Sequence, residues 1–236
     1  MDEHPRQPND QGRVVAPPIT GNKLKDLETL QHSKRLLIVR HPFDRLVSAF
    51  RDKLERCHGL DPCILKTNWY YKTYGRGMVS SYRRAAIQRF SEEFFLPENN
   101  FGSPLPVDKT WRSADLPSWW EFIQYILETS PEHYDEHWRP MSMYCAACSF
   151  SYNYILHFEN IDQEEIFFAE ELGAKDKIQH RWENRNDEGF KKEELVGKYF
   201  SLLNDSEIEK LYQIYKDDFQ LFGYQFQFRD IKLNMP

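Results

Sequence analysis

The sequence predicts an α/β fold, a parallel sheet with helices on both faces. Two observations carry this reading. The unbroken aliphatic run Leu36-Leu37-Ile38-Val39, entered from Arg35, has the composition of a strand covered on both sides. Tyr152 to Phe158, YNYILHF, reads as a second strand, and a helical pattern follows each, so the two are expected to run parallel.

Residues 1–22 are rich in Pro, Asp, Asn and Gln, with almost no apolar periodicity. They are expected to form a disordered tail ahead of a single domain at 23–236, because so few apolar groups cannot offset the entropy of ordering. Lys23 to Ser33 suits one or two helical turns. Pro42 then stands where a first helical residue belongs, since its missing N–H costs nothing there. Phe43, Leu46, Val47, Phe50 and Leu54 follow at helical spacing and make one apolar stripe; Arg45, Ser48, Asp52 and Glu55 lie away from it. The pattern loosens beyond Cys57, and Leu96 to Pro117, with four prolines, reads as a long loop. Ser118 can cap a helix whose apolar face is Trp119, Phe122, Ile123, Ile126 and Leu127, ending before Pro131. Asp162 to Leu172 and Ser206 to Phe222 read as further helices.

The formal net charge of −6 argues against nucleic-acid binding driven by bulk charge. No apolar run reaches the ~18 residues of a membrane span, and the first residues lack a secretory layout, so the chain as written is expected to be soluble with no visible address. Cys57, Cys63, Cys145 and Cys148 form two local pairs that suit disulfides of an oxidising lumen, with a sulfur-ligated zinc as the less fitting alternative. Asn204-Asp205-Ser206 is a glycosylation pattern that matters only in the secretory pathway.

Arg40 sits where the first strand ends, Ser48 about two turns inside the helix that follows. A strand leading into the unsatisfied N–H groups of a helix is a ready anion site, and an arginine there can grip a phosphate in bidentate fashion. Pairing of Arg40 with a neighbouring carboxylate is the plain alternative.

The stretch Arg40, His41, Pro42, Phe43, Asp44, Arg45, Leu46, Val47, Ser48 resembles the 3′-phosphate-binding motif of the Golgi carbohydrate sulfotransferases, nearest to the chondroitin/dermatan 4-O-sulfotransferase and HNK-1 sulfotransferase group. Three more patches resemble the same family in the same order: Tyr74-Gly75 with the basic helix after it; Glu136-His137-Trp138 leading to Cys145-Ala146-Ala147-Cys148; and Leu211 to Phe219 with Phe222-Gly223-Tyr224. The resemblance implies transfer of a sulfuryl group from 3′-phosphoadenosine 5′-phosphosulfate (PAPS) to a hydroxyl of a glycosaminoglycan or related glycan, without a metal. It implies that Arg40 and Ser48, with Arg45 of the same motif, hold the donor's 3′-phosphate, and a looser correspondence adds Arg185.

The family's K-x-x-C-T-x-W-K motif, which cradles the 5′-phosphosulfate, has no counterpart upstream of Arg40, and Lys66-Thr67-Asn68-Trp69 is only an echo of it. The expected domain is therefore a P-loop-like sulfotransferase fold without its first strand-loop-helix. The expected setting is the Golgi lumen, with membrane attachment only through an anchor that precedes the catalytic domain in relatives. An impaired short form that only binds nucleotide, or pairs with a longer enzyme, is the alternative. No residue matches the family's catalytic base; His137 is a candidate for proton transfer or acceptor orientation, against a packed structural role. Arg76, Arg83, Arg84 and Arg89 suit either an acidic glycan or a solvated helix face.

Overall fold

The computed structural model describes residues 20–55, 69–90, 116–145, 151–174 and 192–226. Most of the expected tail, nearly all of the long loop, Lys66 to Asn68, Cys57, Cys63, Cys148 and Arg185 lie outside the described residues.

Helix α1 (Lys23–His32) is longer than one or two turns and buries none of its residues. Its start is held by hydrogen bonds: Asn22 accepts from the N–H groups of Leu24 and Lys25, and Asp26 gathers the Thr20 and Gly21 N–H groups and the Thr20 hydroxyl. Strand β1 (Leu36–Val39) pairs in parallel with β2 (Tyr154–His157), Leu36 opposite Tyr154 and Val39 opposite His157. Partners in a parallel register point to the same face. One face carries Tyr154 and Leu156, against which helix α6 (Ile161–Glu171) sets Phe168, ring to ring with Tyr154 at 5.1 Å. Leu37 and Val39 on the other face form a small cluster with Met141 and Phe222. Helices thus cover both faces, although Ile38 and Ile155 remain 45% and 42% exposed where neither helix reaches.

Helix α2 (Pro42–Phe50) opens on Pro42 and runs on through a π-turn, Arg51–Glu55, which keeps Leu54 buried. All five stripe residues are buried as the spacing predicts. A second π-turn, Tyr71–Gly75, leads into α3 (Arg76–Arg89). A Cβ on Gly75 would come within 2.9 Å of the Tyr71 ring, so the glycine lets the turn close this tightly without moving that ring.

Helix α4 (Trp119–Glu128) begins in a full capping box in which Ser118 receives the Glu121 N–H and Glu121 receives that of Ser118. Short α5 (Met141–Tyr144) precedes β2, and α7 (Lys192–Phe200) lies where the sequence shows only a polar segment. Its Tyr199 and Phe200 are fully buried, and these two aromatics hold a helix whose remaining residues are mostly polar. Helix α8 (Asp205–Leu221) starts in a capping box of Asn204 and Glu207 and stops at Gly223, whose φ of 71° is left-handed.

The large core lies between helices. Phe43, Leu46 and Phe50 of α2 meet Trp119, Phe122 and Ile126 of α4, Tyr199 and Phe200 of α7, and Leu211, Tyr215 and Phe219 of α8. Two strands of four residues cannot supply this much apolar area, and the helices can. Asn204→Ala, which removes one half of a capping box, is expected to destabilise the protein by about 1 kcal/mol, read as a small fall in Tm. Among the described residues no helix is long and apolar enough to cross a membrane.

Candidate nucleotide-binding site

The two parallel strands end side by side; β1 turns directly into α2, and β2 into a single 3-10 turn, Phe158–Asn160, that leads to α6. Ligands of open α/β sheets bind outside such carboxyl ends. One position beyond the paired Val39 and His157 stand Arg40 and Phe158, so the register sets the guanidinium on the ring, 4.9 Å from its centroid. The Arg40 Nε is buried with no hydrogen-bond acceptor among the described residues. Burial pulls its pKa down from the usual value, and Asp44 and Glu159 act the other way. An arginine stays charged even so, and a buried donor without an acceptor asks for one.

Glu159 accepts the His41 N–H at 2.9 Å and the Tyr224 hydroxyl at 2.8 Å. The His41 ring is set edge-on among Phe43, Phe219 and Tyr224. The side chain of the N-cap residue, His41, makes no capping hydrogen bond to the first turn of α2. The corner therefore offers an anion both the helix N–H groups and an arginine.

Ser48 is partly buried on the polar side of α2, in one row with Arg45 and Asp52. Arg45 points into the protein, its Nη1 donating to the Arg139 carbonyl at 2.6 Å and its Nη2 to that of Glu136 at 2.5 Å. These two bonds bracket His137 and tie its loop to the helix that carries Ser48. Pro42, Phe43, Leu46 and Val47 pack in the core, and Asp44 lies 3.6 Å from the His41 Nδ1. Within the motif, Arg40 stands at the corner, Ser48 lies farther along the polar side of α2, and Arg45 braces the 136–139 loop.

The His137 Nδ1 lies 2.6 Å from Asp135 Oδ1, which also accepts the His137 backbone N–H at 3.0 Å. The Tyr70 hydroxyl is 3.4 Å from the same Nδ1. Burial, then Asp135, Glu136 and Asp52, push the Tyr70 phenol up to about 12. His157 serves the fold, its Nε2 on the Phe222 carbonyl at 2.9 Å.

Two of the four α3 arginines are neutralised by carboxylates from other helices, Arg83 largely covered and Arg89 on the surface. Arg83 pairs with the fully buried Glu121 at 2.6 Å, and Arg89 with Glu207 at 3.1 Å, which leaves only Arg76 and Arg84 for a basic surface. Cys145 carries a free, partly buried thiol whose pKa burial raises, so the expected disulfides find no support at this position. Residues that sequence reasoning missed, Phe158, Glu159, Asp135 and Tyr224, come together through strand register and loop closure.

The profile described as the sulfotransferase family matches residues 3–225. The chain belongs to the sulfotransferase family. Among similar proteins of this family, carbohydrate sulfotransferase 8 of Mus musculus is 27% identical over 223 residues, 89% of this chain and 46% of that protein. Carbohydrate sulfotransferase 12 of Xenopus laevis is 28% identical over 198 residues, 83% of this chain and 41% of the other. Carbohydrate sulfotransferase 10 of the same frog is 28% identical over 198 residues, 84% of this chain and 49% of the other. The chain spans less than half the length of each of these relatives. No solved structure matches it. The helix-rich domain with its small parallel sheet is consistent with a sulfotransferase fold.

Proposed function

We propose that this sulfotransferase is a carbohydrate O-sulfotransferase, moving a sulfuryl group from PAPS to a hydroxyl of a glycosaminoglycan or related glycan in the Golgi lumen. The observation that carries the reading is Arg40, a guanidinium stacked on Phe158 at the strand ends with its Nε lacking an acceptor. Relatives named as carbohydrate sulfotransferases give the reaction class.

In this reading Arg40 donates in bidentate fashion to the donor's 3′-phosphate, with Phe158 holding the guanidinium plane. The N-terminus of α2 adds positive potential, and Ser48 donates its hydroxyl along the flank of the helix. Arg45 sets the 136–139 loop against that flank, and Arg185 belongs to the donor side as well. Fixing one end of the nucleotide converts the encounter with a sugar hydroxyl into a reaction between oriented groups. The partner is a glycan rather than a nucleic acid, and membrane attachment falls to a segment other than those described.

Purified, folded protein given radiolabelled PAPS is expected to incorporate sulfate into chondroitin, dermatan or an HNK-1-type glycan. Absence of incorporation into all three would overturn the reading.

A further inference from the structure

The Asp135, His137 and Tyr70 cluster is built with more care than a surface loop needs, and the nucleotide corner does not use it. Arg45 holds the loop from α2 through the carbonyls on either side of His137. Tyr215 holds it from α8, its hydroxyl donating to the Trp138 carbonyl at 2.6 Å, and Arg139 closes it on itself through the carbonyls of Glu132 and Tyr134. Asp135 is an acceptor at 2.6 Å from Nδ1, which puts the ring proton on that nitrogen. The Nε2 then carries a lone pair, no described residue hydrogen-bonds it, and the side chain is 33% exposed. A histidine with a carboxylate behind one nitrogen and solvent before the other is the arrangement of a general base.

An apolar surface lies beside it. The Tyr70 ring stands edge-on to His137 at 5.6 Å, and Trp69 stands edge-on to Tyr70 at 4.9 Å and near Tyr74 at 5.8 Å. Trp69 is 52% exposed, while Trp119, Trp120 and Trp138 are buried. An exposed tryptophan, supported from behind by other rings, suits the C–H face of a sugar.

We propose that this cluster is the acceptor side of the site: His137 Nε2 takes the proton of the acceptor hydroxyl, Asp135 positions its ring, and Trp69 receives the sugar. The proposal rests on the transfer reading above. The hydroxyl proton passes to Nε2 as the oxygen forms its bond to sulfur. The bond from sulfur to the 5′-phosphate oxygen breaks, and its electron pair leaves with 3′-phosphoadenosine 5′-phosphate.

The test measures kcat and KM for chondroitin sulfation together with calorimetric affinity for 3′-phosphoadenosine 5′-phosphate. His137→Ala is expected to lower kcat on the order of 10²- to 10⁴-fold with nucleotide affinity unchanged. His137→Gln, which keeps a donor for Asp135, carries the test should the alanine variant not fold. Asp135→Asn is expected to lower kcat roughly 10- to 100-fold with KM held, and Trp69→Ala to raise the glycan KM about tenfold. A kcat within twofold of the parent in the His137 variants overturns the assignment, and so does a loss that nucleotide affinity shares, which marks a structural residue. Failure of the parent protein to transfer sulfate is instead the failure of the function reading and removes this proposal with it.

Discussion

Glu121→Ala is expected to lower the unfolding free energy by about 3–5 kcal/mol, a large part of what a domain of this kind possesses. Glu121 is fully buried and receives Arg83 at both oxygens, Nε at 2.6 Å and Nη2 at 3.1 Å, together with the Ser118 N–H at 2.6 Å. Truncation leaves an 11% exposed guanidinium without its counter-charge and strips the α4 capping box of one partner. The same guanidinium donates to the Leu116 carbonyl at 2.6 Å, so the entry to α4 loosens as well. Glu121→Gln retains an acceptor and is expected to cost less, about 1–3 kcal/mol. The double variant Glu121→Leu with Arg83→Met tests the cause. An apolar pair leaves no buried charge behind, and its stability should return most of the way toward the parent. Urea unfolding curves measure all three. A Glu121→Ala midpoint equal to the parent's would show that water reaches Arg83 and that the pair holds little.

The α3 arginines show how far local sequence reading reaches. Four arginines within one helix read as a basic face, because nothing nearby in the chain neutralises them. Their carboxylates lie elsewhere: Glu121 is 38 residues from Arg83, and Glu207 is 118 from Arg89. Periodicity locates a side chain on a face of its own helix, but which partner arrives there is decided by packing. The same division runs through the site. Pro42, the stripe to Leu54 and the strand before them follow from local rules, so the corner and Arg40 within it could be read directly. Phe158 and Glu159 could not, because they reach Arg40 and His41 only through the register of a strand 118 residues away.

His137 stands between these cases. Its partner Asp135 is two residues off, in a turn of the kind aspartates make with a following N–H, and the run YDEHW holds that signal. What the run does not hold is the brace from Arg45, 91 residues from Glu136, which ties the loop of His137 to α2. The π-turn at Arg51–Glu55 is likewise invisible to a periodicity of 3.6, which continues the α-helix through it. Helix α7 was missed for the opposite reason. Its fully buried residues are Tyr199 and Phe200, with Leu195 and Val196 only partly buried against the core, and four adjacent-pair positions make no clear helical stripe.

Arg40→Ala is expected to weaken the affinity for 3′-phosphoadenosine 5′-phosphate by on the order of 10²-fold, with little change in Tm. The first half follows from the loss of two charge-assisted hydrogen bonds to a phosphate, about 3 kcal/mol together. The second half follows from the orphaned Nε: a donor with no acceptor gives the fold nothing to lose, and the stacking on Phe158 is worth about 0.5–1 kcal/mol at a partly exposed site. Arg40→Lys separates charge from geometry. A lysine keeps the positive charge but not the planar fork, and about a tenfold loss is expected. Ser48→Ala removes a single neutral donor and should cost less than about tenfold. Calorimetry across this series, each variant first checked for a folded transition, therefore ranks alanine at Arg40 below lysine, and lysine below or level with the Ser48 change. Equal affinities in the parent and Arg40→Ala would mean that the 3′-phosphate lies elsewhere. A large fall in Tm for Arg40→Ala would mean instead that the guanidinium is a structural cation serving Asp44 and Glu159, the one alternative that its surroundings permit.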